Sequence, residues 1–442
     1  MQTQPELESR PITLTAYARL LSANANFRRL WLAQIVSEIG DWFYTLAIYN
    51  LLLTLTGRAS SVGLALVLQV LPQTFIGPIA GVVNDRISRR KVMIAADLVR
   101  AVIVLSMLLV RSRSMVWLVY PLLLAETLMA AFFEPARSSV IPNITPREDL
   151  VVANTLSSMT WSMNLVLGAT IGGVVAAFLG REAVFVLNAL SFLVSAFLIR
   201  RMRFVEPHAE GAAPLRAQDL VEFSPFMEGV AYVRKNRRLL ATVLVKAGNL
   251  VVGPSWVLFT VMGQRTFPLH WVGIDPQRGA MLGISLLLGA RGIGALAGPL
   301  LMAPWAGHSQ KKLQWAILFG YLVCGTGYVV VGQAKFVAVA CLFVALAHCG
   351  ASTVWVFSTT LLQMNTDDRF RGRVFAAELG FFMLNIAIGA FLCGAFLDAG
   401  ASPRTVATVT GLLMVVPAAL WGVAIRSWKE EAPEPVLTQA NS

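Results

Sequence analysis

The sequence predicts an all-α polytopic membrane protein, with twelve transmembrane helices in two pseudo-symmetric six-helix bundles. Three observations carry this reading. The 442 residues are 56% hydrophobic and only 14% charged, with a mean hydropathy of +0.67, far more apolar than a water-soluble domain. The apolar runs are continuous rather than alternating and reach the roughly 20 residues needed to cross a bilayer. Lipid offers no partners for backbone amides, so such runs must be helices. Finally, one long polar stretch, 200–238, divides the runs into two sets of six.

Taken in order, Met1–Arg29 is polar, with Pro5 and Pro11 and no apolar core, and is read as a cytoplasmic segment rather than a cleaved signal peptide. Spans follow at about Leu30–Leu55, Val62 to Gly81, Val92–Val110, Met115–Phe133, Leu150–Leu179 and Ala183–Ile199, forming an N-terminal bundle over 30–199. The stretch 200–238 carries Pro207, Gly211 and Pro214, then a mixed segment with Phe223, Phe226 and Val230, then R-K-N-R-R. It reads as a cytoplasmic linker with one surface-lying amphipathic helix. The second bundle, 239–427, has spans at about Leu239–Val261, Ala280–Trp305, Leu313–Val331, Phe336–Leu362, Phe370–Leu397 and Thr405–Ser427. Residues 428–442 form a short acidic cytoplasmic tail.

Two internal correspondences point to duplication. N-F-R-R-L-W before the first span matches N-R-R-L-L, Asn236–Leu240, before the seventh. I-P-N-I-T-P-R-E-D-L after the fourth matches L-Q-M-N-T-D-D-R-F-R-G-R, Leu362–Arg373, after the tenth, at a similar offset.

The net charge of +12 is explained by topology: with the N-terminus in the cytoplasm, most Lys and Arg fall in the segments on that side. No basic face with interleaved aromatics points to nucleic acid. Cys324, Cys341, Cys349 and Cys393 all lie inside apolar runs, without a disulfide framework or metal-ligand spacing. No phosphate-binding loop and no catalytic constellation is present, so neither nucleotide hydrolysis nor an enzyme is expected. G-A-R-G-I-G at Gly289–Gly294 lies in a membrane run with no strand before it and is not a dinucleotide fingerprint.

The most informative stretch is Gly81–Lys91, G-V-V-N-D-R-I-S-R-R-K, a tight charged turn between two spans. It resembles the loop signature G-x-x-x-D-R-x-G-R-[RK] of the major facilitator superfamily of secondary transporters, with Gly81, Asp85, Arg86, Arg89 and Arg90 in register and Ser88 where the family usually has glycine. The equivalent loop of the second half, Gly298 to Lys312, keeps Gly298, Pro299, Lys311 and Lys312 without the acid. N-F-R-R-L-W-x-x-Q at Asn26–Gln34, G-D at Gly40–Asp41, P-A-R at Pro135–Arg137 and R-G-R-V at Arg371–Val374 are similar to the branch of enterobactin and macrolide exporters. The resemblance implies a twelve-helix alternating-access fold. It also implies a cytoplasmic gating role for the motif, in which Asp85 meets the N-terminus of a facing helix and the arginines pair with acids at adjacent helix ends.

Charges inside spans cost about 2.5 to 3.5 kcal/mol each at mid-membrane and mark function. Glu38 and Asp41, three apart on one helix face, and Glu126 in the fourth span are candidate proton-coupling groups. Lys246, Arg291, Glu378 and Asn385 are candidate cavity or substrate contacts. Asp97 and Arg100, also three apart, are expected to be structural partners of the motif. His348 is read as packing, or else as a proton carrier.

The function expected is proton-coupled export of a drug-like or siderophore-like small molecule from the bacterial cytoplasm, driven by the proton gradient without a cofactor. The protein is expected to be monomeric in the inner membrane, with both termini cytoplasmic. The alternatives are a lysophospholipid or lipid flippase on the same fold, with Lys246 or Arg291 as a headgroup site, and a non-transporting membrane sensor or scaffold.

Overall fold

The computed structural model describes residues 14–146, 149–206, 224–269, 275–306, 309–366 and 368–428. Its α-helices are α1 (Leu14–Ala23), α2 (Ala25–Thr56), α3 (Ala59–Arg86), α4 (Arg89–Ser106), α5 (Val119–Ile144), α6 (Leu150–Arg200), α7 (Ser224–Lys235), α8 (Arg237–Ala247), α9 (Val252–Val261), α10 (Pro276–Ala306), α11 (Gln310–Gln333), α12 (Val337–Asn365), α13 (Asp368–Asp398), α14 (Pro403–Leu413) and α15 (Val415–Ser427). Among the described residues, nine helical segments are long and apolar enough to cross a bilayer. With α2, α3 and the first part of α6 they account for the expected spans.

Local chemistry explains the boundaries. The unbroken run of α6 contains Gly180 at φ 83° and ψ 164°, a backbone state that L side chains rarely adopt, and there the fifth and sixth spans part. The seventh span is interrupted between α8 and α9, just before Pro254, which has no N–H to donate to the preceding turn. The twelfth is likewise broken at Met414, ahead of Pro417. Side chains of Asn24, Ser88, Asn236, Ser309 and Ser402 accept first-turn amides of α2, α4, α8, α11 and α14.

α2 to α6 form one half and α8 to α15 the other. The halves meet where α3 lies against α13 and α6 against α10. Glycine makes this contact possible: a Cβ on Gly394 would lie 2.6 Å from the Ser60 Cα, and one on Gly63 would lie 2.7 Å from the Ala390 carbonyl oxygen. Large apolar side chains left exposed on the outside, among them Val102, Leu190, Phe396 and Leu420, form a lipid-facing belt.

Two segments outside the spans differ from expectation. The polar N-terminal segment contains α1, whose Ala16 and Leu20 are buried against Phe27, Met93, Val140 and Met202. Their i, i+4 spacing gives one turn-to-turn apolar stripe, too short to register as a run. The linker helix α7 is present, but its Val233 is buried with Leu239, Val243, Leu362 and Val374 of the second half, so it docks on protein rather than only on a membrane surface.

Candidate functional site

Arg100 of α4 organises the interior of the first half. It contacts Asp97 one turn before it and lies 3.8 Å from the carboxylate of Asp41 on α2. Its guanidinium sits over the rings of Phe133 and Phe192 at 4.6 and 4.2 Å. Glu126 of α5 is in electrostatic range of both Arg100 and Asp41. Asn188 of α6 donates to Asp41 at 3.5 Å. Two carboxyls thus contact one guanidinium, and a third lies within its electrostatic reach, in a largely apolar bundle. The Asp41 side chain keeps 35% of its surface accessible, whereas Arg100 and Asp97 are sealed.

This corrects two expectations about grouping. Asp97 and Arg100 are not partners of the Gly81–Lys91 turn, because they lie roughly 12 and 16 Å along α4 from its start at Arg89. Glu38 and Asp41 do not form a joint acid site. Residues three apart on a helix diverge by about 60°, and each finds different neighbours. Glu38 receives hydrogen bonds from Gln34 and from Asn164 of α6, both at 2.8 Å. Gln34 also donates to the Ser157 carbonyl and accepts from Arg137 at 2.9 Å, and Arg137 is paired with Glu134 at 2.7 Å.

In the charged turn, Gly81 lies within α3, the Asp85 side chain lies outside the described residues, and Arg86 closes α3. Arg89 donates to the carbonyls of Asn84 and Ser139, and Arg90 to that of Met202 at 2.8 Å. Ser88, the departure from the family pattern, caps α4 and donates to Glu206. These bonds tie α3, α4, α5 and the end of α6 together within the first half. The N-F-R-R-L-W stretch does similar work: Arg28 and Arg29 donate to the C-terminal carbonyls of α1 and α6, Asn26 pairs with the Arg203 backbone, and Trp31 donates to Thr160.

The second half repeats the α2–α6 contact with other side chains. Lys246 of α8 is bound to Glu378 of α13 at 2.9 Å, both buried, and its ammonium lies 4.0 Å from the Trp355 ring centre. Two turns along α13, Asn385 donates to the Asn249 carbonyl in the break before α9. Gln34 and Lys246 lie at equal sequence distances from their caps, Asn24 and Asn236, and the pair Ser157 and Asn164 has the same two-turn spacing as Glu378 and Asn385. The ladder is the same, but one rung has become an ion pair.

At mid-span in α10, Arg291 is nine-tenths buried, and its Nε and Nη1 have no hydrogen-bond partner. Its guanidinium lies 4.0 Å over Trp256 of α9, which stacks at 5.6 Å on Trp42 of α2 and so joins the halves. Tyr49 meets Trp256 edge-on. Nearby, Tyr328 and His348 share a 3.1 Å hydrogen bond in an aromatic cluster with Phe259. His348 is thus held by a hydrogen bond within aromatic packing.

At the face opposite the linker, cross-half polar contacts appear that the sequence did not announce. Both oxygens of Asp398, at the end of α13, accept the first amides of α3, from Ala59 at 2.6 Å and Ser60 at 3.0 Å. Arg265 donates to the Gly57 carbonyl at 2.8 Å, and Gln264 donates to Asn50 and Thr54.

Comparison with known proteins agrees with this architecture. A family profile described as a transmembrane secretion effector matches residues 15–441. Macrolide efflux protein A of Streptococcus pyogenes is 26% identical over 84% of this chain and 89% of its own length. The uncharacterized MFS-type transporter YkuC of Bacillus subtilis is 30% identical over 63% of this chain and 64% of its own. Among solved structures, a mutant of the nucleoside transporter NupG superposes with a TM-score of 0.71 over 90% of this chain and 99% of its own, at 11% identity, a likeness of fold alone.

Proposed function

The chain belongs to the transmembrane secretion effector family of major facilitator transporters, multi-pass membrane proteins rather than enzymes, and on that premise we propose that it is a proton-coupled exporter of an organic small molecule. The linker face is the cytoplasmic face of a bacterial inner membrane, with both termini on that side, and the carrier works as a monomer by alternating access. Substrate enters between the halves from the cytoplasm, and protons entering from outside reset the carrier.

The observation that carries this reading is the cluster of Asp41, Asp97 and Glu126 around Arg100. With all groups ionised it would hold an excess of two negative charges in a low-dielectric bundle, which is costly. Asp97 is bound to Arg100, which leaves Asp41 and Glu126 to share the remaining attraction of one guanidinium. Glu126 has no hydrogen-bond partner among the described residues, and Asp41 is accessible. One exchangeable proton on this pair would remove part of the excess and change the pull on α4, coupling protonation to helix arrangement.

The charged turn fits a brace on the cytoplasmic side of the first half. Arg89 and Arg90 keep the helix ends of the first half as one body, a condition for rocking as a unit. The Asp398, Arg265 and Gln264 contacts, which do cross between the halves, fit an outer clamp. Export is supported by the secretion family and by a relative named for macrolide efflux, and macrolides are the first substrate class to test. The test is transport of a radiolabelled macrolide by the full chain in proteoliposomes, with and without a pH gradient. The reading expects gradient-driven accumulation; transport unchanged after the gradient is collapsed would overturn it.

A further inference from the structure

We infer that Arg291 is the docking point for an anionic group on the substrate, a carboxylate in the first instance, and that Trp256 and Trp42 receive an adjoining aromatic or broad apolar body. The inference rests on the transport reading and deepens it by naming a substrate chemistry.

A guanidinium at mid-membrane is expensive to keep charged, so its compensation should be visible. Around Arg291 only part of it is. The Trp256 face supplies a cation–π contact at 4.0 Å, yet two of the three guanidinium nitrogens, Nε and Nη1, make no hydrogen bond. No carboxylate is among its electrostatic neighbours, which are Tyr328, Tyr49 and His348. In the first half, Asp41, Asp97 and Glu126 group with Arg100, and Glu38 is held by Gln34 and Asn164. In the second half, the buried acid among the described residues is Glu378, and Lys246 already holds it. The two cations first grouped as substrate contacts therefore have different standings: Lys246 is closed by an ion pair, and Arg291 keeps two buried donors without a partner.

The geometry of those donors selects the ligand. Nε and Nη1 lie on different edges of the guanidinium, each sharing its edge with Nη2, and either edge binds a planar carboxylate through two parallel hydrogen bonds. The position selects the rest of the molecule. Trp256 is half-buried, lies in contact with Arg291 and is stacked on Trp42 of the other half, so a ligand held at Arg291 meets an aromatic surface shared by the halves. Binding there would engage both halves at once, as a carried substrate must.

The test is equilibrium binding to the purified full chain in detergent, read by energy transfer from tryptophan to a dansyl group. The probes are dansylphenylalanine, its neutral amide, and dansylated phosphoethanolamine. The carboxylate probe should bind at least about tenfold more tightly than the amide, the magnitude of a charge-assisted pair. Arg291→Gln should erase that difference, while Arg291→Lys should keep part of it. Unlabelled N-acetylphenylalanine should displace the probe from the unaltered protein better than its amide does, a comparison that needs no variant to fold. Tighter binding of the phosphate probe that is equally lost in Arg291→Gln would retain the anion site and transfer the preference to phosphate. Equal binding of acid and amide, undiminished discrimination in Arg291→Gln, or no binding of either anion would overturn the inference. Because binding needs no gradient, such a failure leaves proton-driven export standing, and a failure of gradient-driven transport leaves the binding result intact.

Discussion

Replacing Asp398 by alanine removes both oxygens that receive the first two amides of α3, at 2.6 and 3.0 Å, from the other half of the molecule. The contact combines an N-cap with a carboxylate at the positive end of a helix. Loss of a cap costs about 0.5 to 2 kcal/mol, and a charge at a helix terminus contributes about 0.3 to 1 kcal/mol when exposed. Asp398 is solvent-exposed, so water replaces part of what is lost, and a net effect of about 1 to 2 kcal/mol is reasonable. Because the bond exists only while the halves touch at this face, the loss falls on the closed form. The open-to-closed ratio should rise about 5- to 30-fold. Spin labels at Arg58 and Thr405, both on that face, introduced after replacing Cys324, Cys341, Cys349 and Cys393, would report the separation by pulsed electron resonance. Asp398→Ala should enlarge the long-distance population, and Asp398→Asn, which keeps one accepting oxygen, should do so less. An unchanged distance distribution in Asp398→Ala would refute the assignment of this contact as a conformational clamp.

Asp41→Asn and Glu126→Gln should each weaken gradient-driven transport while preserving substrate exchange across proteoliposomes at equal pH, since the amide keeps the shape but carries no exchangeable acid proton. Loss of exchange as well would assign the residue to substrate binding or folding. Lys246→Ala should destabilise the protein by about 3 to 5 kcal/mol by leaving Glu378 buried and unpaired. Lys246→Met combined with Glu378→Leu should recover much of the melting temperature in detergent; a double variant as unstable as the single one would contradict this. Gly394→Val should hold the outer face apart, because even a Cβ would lie 2.6 Å from the Ser60 Cα. The same spin-label pair should show the long distance, with transport lost and the chain still monodisperse.

The elements were legible because hydropathy sums over a whole run and needs no knowledge of which way a helix is turned. The linker helix α7 and the split of α6 at Gly180 follow from local signals of the same kind. α1 escaped notice because only Ala16 and Leu20 of its short apolar stripe are fully buried. Within the site, the buried charges themselves were all visible as costly residues in apolar runs. Their partners were not. Gln34, Asn164 and Asn188 are unremarkable polar residues in sequence and became informative only as neighbours of Glu38 and Asp41. Asp398 lies just beyond the Phe370–Leu397 run, where nothing in the sequence marks a partner.

The sequence by itself therefore determined the class of molecule, its apolar spans, the charged turn and the short set of intramembrane charges. Tertiary structure alone decided how those charges are grouped: Arg100 with three acids rather than with the turn, Lys246 closed by Glu378 across 132 positions, and Arg291 left with open donors. The physical reason is that insertion into lipid depends on average polarity along a helix. Ion pairing and hydrogen bonding depend on helix rotation and on which helix lies alongside, and packing between distant segments sets both.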